Sequence, residues 1–110
     1  MAKWTTIGTV ADFPPGEPVC TSAENRSVVV FNVEGELYAV LNSCPHAGMP
    51  LDEGECRGTV LTCPFHGYAY DLKTGRNVDW PDQEPPATTF ELRIEGEELQ
   101  IDLQAIEANL

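Results

Sequence analysis

The sequence predicts an all-β, antiparallel domain carrying one irregular insertion. Three observations predict it. Two hairpin signatures of the same grammar flank the middle of the chain, helical periodicity is confined to the last few residues, and the middle third is too rich in Gly and Pro to continue either hairpin.

Taken in order, Trp4 to Thr9 reads as a first strand, and Asp12-Phe13-Pro14-Pro15-Gly16 as the loop leaving it. A second strand starts near Pro18 and runs to Thr21. Val28-Val29-Val30-Phe31-Asn32-Val33 and Leu37-Tyr38-Ala39-Val40-Leu41 are β-branched and aromatic, and Glu34-Gly35-Glu36 between them supplies the turn. The pattern returns as Thr89 to Ile94, Glu95-Gly96-Glu97, and Leu99 to Leu103. Alternation gives each hairpin one buried and one solvated face. Gln104 to Leu110 is helical in pattern and short enough to fray. At 110 residues the chain holds one core. The expected organisation is a single domain, 1–110. Residues 1–42 and 82–103 form its base, 43–81 an inserted subdomain too irregular to be part of a regular sheet, and 104–110 a tail.

The insertion holds the chemistry. Cys44-Pro45-His46 is followed, after sixteen residues, by Cys63-Pro64-Phe65-His66. His46 and His66 are the only histidines in the chain, and each stands beside a Cys at metal-ligand spacing. Two thiolates and two imidazoles make a four-ligand set. Gly48 and Gly67 follow the two motifs, where backbone N–H groups can approach bound sulfur. A structural zinc module is the competing reading of the same donors. Against it count the mixing of one Cys and one His per loop, the flanking Pro and Gly, and the lack of basic patches. A nucleophilic Cys63 with His66 as base leaves the first motif unexplained. A plant-type cluster on four Cys is disfavoured by gaps of 23, 11 and 6 residues along Cys20, Cys44, Cys56 and Cys63.

The motif pair, C-x-H then C-x-x-H with Pro after each Cys and His66-Gly67, resembles the Rieske [2Fe-2S] family. Tyr70-Asp71 with Thr74-Gly75 is similar to that family's aromatic-Asp-x-x-Thr-Gly turn. The resemblance implies an antiparallel β-sandwich with a small cluster-binding subdomain of two ligand loops. It implies one [2Fe-2S] cluster, with Cys44 and Cys63 on one iron and His46 and His66 on the other. The family's high-potential branch ties its loops with a disulfide. Met49 and Phe65 stand at those positions here, so the resemblance points to the other branch. Tyr68 replaces that branch's Ser, whereas Tyr70 matches its sulfur-bonding Tyr. Trp80-Pro81 and Pro85-Pro86 resemble the proline-bearing lid over the cluster.

The implied activity is one-electron transfer without a catalytic site of its own. The chain would accept electrons from an NAD(P)H-dependent flavoprotein reductase and pass them to a terminal oxygenase of the aromatic-ring-hydroxylating type. The small Rieske subunit of a cytoplasmic reductase, such as an assimilatory nitrite reductase, shares the same features, and the sequence does not separate the two.

Charge narrows the partners. Eighteen acidic against six basic residues give a formal charge of −12, which excludes nucleic acid and suits docking to a basic surface. Asp52, Glu53, Glu55, Asp79 and Asp82 are the expected rim of that docking tip. No apolar run reaches the roughly 18 residues of a membrane span. No apolar signal segment opens the chain, so a cytoplasmic location is expected; a monomer is expected as well. Cys20 and Cys56 are expected to be buried or half-buried free thiols.

Overall fold

The computed structural model describes residues 3–43, 50–52, 54–63 and 67–104. Within these, ten strands form three antiparallel sheets. The first sheet has the order β1 (Trp4–Thr9), β10 (Glu98–Asp102), β9 (Leu92–Glu95). The second has the order β2 (Val19–Ala23), β3 (Arg26–Val33), β4 (Glu36–Leu41), β8 (Thr89–Phe90). The third, within residues 43–81, has the order β5 (Glu55–Arg57), β6 (Val60–Thr62), β7 (Ala69–Asp71).

The expected hairpins form with their expected turns. Val33 pairs with Glu36 across Glu34 and Gly35, both at positive φ, as a two-residue hairpin turn requires. Glu95 pairs with Glu98 across a turn led by Gly96, also at positive φ.

One expectation fails in an informative way. The β3–β4 hairpin has no solvated face. Val28, Val30 and Ala39 pack with Phe90, Leu99 and Ile101, joining the first two sheets. Val29, Phe31 and Val40 point the other way and pack with Leu51, Leu61, Tyr70 and Leu72. The second sheet is therefore the middle layer of three, which explains its unbroken apolar run Val28–Phe31, all buried. Two further expectations change. Residues 89–94 are not one strand: Phe90 pairs with Ala39 in the middle sheet, while Leu92 pairs with Ile101 in the first, and the chain changes sheet at Glu91. The inserted stretch does contain a regular sheet, of three strands too short to show a period in sequence.

Lys3 and the segment Asp102–Gln104 are joined by hydrogen bonds. The Asp102 carboxylate accepts from the Lys3 and Gln104 backbone N–H groups, at 2.7 and 2.9 Å, which lower its pKa. Gln104 is the last described residue, so the expected C-terminal helix lies outside the described residues.

Candidate metal centre

The second motif sits on the β6–β7 connection. Thr62 pairs with Ala69, and the loop between them is closed by two backbone bonds: Cys63 N–H to Tyr68 O at 2.7 Å and Gly67 N–H to Cys63 O at 3.0 Å. Gly67 takes φ +71°, a conformation Gly adopts without the penalty a Cβ carries. Cys63 is fully buried at the base of this loop. Its strand position, two residues beyond Leu61, gives it the inner face of the sheet.

That inner face is a continuous row. Cys56 pairs with Leu61, Leu61 with Tyr70, and Tyr70 with Asn77 through an isolated bridge. Leu61, Tyr70 and Asn77 are each no more than 1% exposed. Asn77 is the single buried polar or charged residue among those described. Its Oδ1 accepts from the Asp79 and Trp80 N–H groups at 3.0 and 2.9 Å, which starts the Trp80 turn. Among the described residues its Nδ2 donor has no partner. Such an orphan costs about 1–3 kcal/mol unless some group meets it.

The segment from Trp80 leans on Tyr68, at the end of the β6–β7 connection. The Trp80 ring meets Tyr68 edge-on, with centroids 5.6 Å apart and planes at 86°. Trp80 remains 45% exposed, and Asp79 and Asp82 beside it are exposed. The aromatic-Asp-x-x-Thr-Gly turn forms as the sequence suggests. Asp71 Oδ1 accepts from Lys73 N–H at 2.9 Å, and Thr74 Oγ1 from Arg76 N–H at 3.2 Å. Gly75 N–H bonds Asp71 O, and its carbonyl receives Ala87 N–H at 2.7 Å.

The first motif lies on the connection from β4 to β5, and Cys44, His46 and Met49 fall outside the described residues, as do Glu53, Phe65 and His66. Cys63 is thus the expected ligand whose place is given. No group of three or more metal-ligating side chains converges among the described residues. What is given fits an iron–sulfur cluster: a thiol excluded from water at the foot of a tight Gly-bearing loop, and a buried, unmet donor on the same sheet face.

Of the thiols outside the motifs, Cys56 meets the expectation of a half-buried free thiol and Cys20 does not. Cys20 is exposed rather than buried, on the outer strand β2, with Sγ 3.2 Å from Ser27 Oγ. Cys56 is half-buried, donates to Gly58 O at 3.2 Å, and has its pKa raised by burial. Of the expected acidic rim, Glu55 is engaged by Arg57 at 3.2 Å, while Asp79 and Asp82 stand clear at the surface. Sequence inspection missed Asn42 and Asn77. An Asn before a turn is too common a signal to single out without knowing which N–H groups it caps.

Comparison with known proteins agrees. A family model described as the Rieske [2Fe-2S] domain matches residues 3–101. The ferredoxin component of a naphthalene 1,2-dioxygenase system from Pseudomonas aeruginosa is 31% identical over 101 residues, covering 92% of this chain and 96% of that one. A biphenyl dioxygenase ferredoxin subunit from a Pseudomonas species is 33% identical, covering 90% and 91%. Among solved structures, a ferredoxin of Sphingomonas yanoikuyae B1 superposes with a TM-score of 0.80 at 34% identity, covering 91% of this chain and 98% of that one. The zinc and nucleophilic-cysteine readings have no support in these relatives. The chain belongs to the Rieske [2Fe-2S] domain family, among its dioxygenase-type ferredoxins, and its cofactor is one Rieske-type [2Fe-2S] cluster.

Proposed function

We propose that this chain is a one-electron carrier that takes electrons from an NAD(P)H-dependent flavoprotein reductase and delivers them to a terminal, aromatic-ring-hydroxylating oxygenase. The relatives support this, being ferredoxin components of dioxygenase systems. A structure similar to this chain, at 28% identity and a TM-score of 0.79, is of a complex of reduced oxygenase and oxidised ferredoxin in carbazole 1,9a-dioxygenase. The small-subunit reading, as in a nitrite reductase, has no counterpart among these proteins. The chain is an electron-transfer component rather than an enzyme in its own right.

Within that reading, Cys44 and Cys63 would hold one iron and His46 and His66 the other. The cluster supplies a one-electron couple when bound. The chain's own part is to hold it, keep water from its thiolate side and leave a path to a partner. Cys63 serves the second task, since its side chain is wholly buried against Leu51, Leu61 and Tyr70. Residues 43–81 act as the cluster-binding unit and 1–42 with 82–103 as its base. In support, the third sheet rests on Val29, Phe31 and Val40 of the middle sheet. No described helix is long and apolar enough to cross a membrane, and a cytoplasmic setting fits this role.

The single observation that carries the docking side is the Tyr68–Trp80 contact. It places the exposed carboxylates of Asp79 and Asp82 on a turn that leans against the second ligand loop. Exposed rim charges act mainly on encounter rate, and salt screens them over about 8 Å at physiological strength. Stopped-flow reduction by the partner flavoprotein is expected to slow as salt rises, and to slow further in an Asp79→Asn, Asp82→Asn double variant. A second-order rate indifferent to both salt and substitution would show that these carboxylates take no part in docking.

A further inference from the structure

We propose that Asn42 is the positioning residue of the first ligand loop, setting where Cys44 and His46 stand. The proposal rests on the assignment of those two residues as ligands. Asn42 follows the last residue of β4 and lies two before Cys44. Its backbone N–H bonds Ser27 O at 2.9 Å, which anchors it to β3. Its side chain then reaches across the loop mouth. Oδ1 accepts from Leu51 N–H at 2.7 Å and from Asp52 N–H at 2.9 Å. The connection 43–50 therefore begins at the backbone of Asn42 and ends on its side chain.

The amide is itself oriented. Nδ2 lies 3.2 Å from Ser27 Oγ and 3.5 Å from Cys20 Sγ, and Ser27 Oγ lies 3.2 Å from that sulfur. A consistent chain of donors runs from Asn42 Nδ2–H to Ser27 Oγ and from Ser27 Oγ–H to Cys20 Sγ. The opposite flip of the amide would turn NH₂ against two backbone N–H groups, so the orientation has one solution. Leu51, which receives the far end of the loop, is wholly buried. The loop thus runs between two fixed points, one on a β-strand and one in the core. Without Asn42 Oδ1 the exit of the loop loses both its capped N–H groups, and the ligands lose their fixed reference to the sheet.

The test uses the cluster-loaded protein. Bleaching of the visible absorption by an iron chelator measures how firmly the loops hold. The electron paramagnetic resonance spectrum of the reduced protein reports the ligand arrangement. Asn42→Ala is expected to bleach about tenfold faster or more, as removal of an outer-shell partner typically does, and to broaden or shift the spectrum. Asn42→Asp keeps an acceptor for both N–H groups and is expected to restore the parent's bleaching rate and spectrum. Asn42→Ser keeps one acceptor at shorter reach and is expected to fall between, which decides the matter if the Ala variant does not accumulate. Thermal unfolding followed at Trp4 in the base provides the contrast, because a purely structural role moves that midpoint and leaves the spectrum unchanged. A loaded parent with Ala and Ser variants that match it in bleaching and spectrum would overturn the proposal. A parent without a Rieske-type spectrum would instead overturn the ligand assignment on which it rests.

Discussion

Cys63→Ala is expected to yield protein without iron or acid-labile sulfide. In the proposed ligand set the substitution removes one of four ligands, and the Cys63 side chain has no exposed surface. A cluster held by three ligands is labile, and the free energy of binding it is also free energy of folding for the loops around it. The loss should be uneven across the molecule. The β6–β7 connection loses its proposed ligand, whereas the first two sheets keep their own core of Val28, Val30, Phe90, Leu99 and Ile101. Amide exchange should therefore accelerate in 55–71 and stay slow in β3 and β10. Full iron and sulfide in this variant would remove Cys63 from the ligand set.

Gly75→Ala is expected to destabilise the domain more than any other single added methyl on a described glycine. Gly75 takes φ +83°, and a Cβ there would run into the Ala87 carbonyl oxygen, which is backbone and cannot swing aside. The same residue ties two segments together, since Ala87 N–H bonds Gly75 O at 2.7 Å. Strain and the displaced contact together amount to about 3 kcal/mol. For a domain near 100 residues that lowers the melting midpoint by roughly 12 °C or more. Gly58 is the control. It also has positive φ, +59°, but an added Cβ meets nothing within 4 Å, so Gly58→Ala should cost about 1 kcal/mol from conformation alone. Equal midpoints for the two variants would show that Ala87 is not packed against Gly75 as described.

The contrast between the legible and the illegible parts of the fold follows from range. Both hairpins could be read because their turns carry local signals, Glu34-Gly35 and Glu95-Gly96-Glu97, and their strands have at least four residues of β-forming type. The Asp71-x-x-Thr74-Gly75 turn was legible for the same reason. The third sheet was not, because strands of three residues leave no period to detect, and its apolar row Cys56–Leu61–Tyr70 exists only across strands. The two-sided burial of Val28–Phe31 was visible as an unbroken run. It read as one hairpin face because nothing local announces a third layer. The sheet change at Glu91 depends on which partner is nearer, Ala39 or Ile101, and that is a tertiary fact. At the site, spacing was enough to propose Cys44, His46, Cys63 and His66 as ligands, and of these Cys63 lies among the described residues, where it is buried. Asn42 and Asn77 were silent in the sequence because their meaning lies in the backbone N–H groups they cap.

The most direct test of the account is the reduction potential of the loaded protein by voltammetry. Imidazole in place of two thiolates leaves the cluster less negative and easier to reduce, so mixed Cys/His ligation places the couple at about −150 to +300 mV, against about −400 mV for four thiolates in plant-type ferredoxins. Without the sulfur-bonding Ser of the high-potential branch, the expected value lies in the lower part of that window. A couple within it supports His46 and His66 as ligands of one iron. A couple near −400 mV would contradict their ligation and with it the electron-transfer role argued from these two motifs.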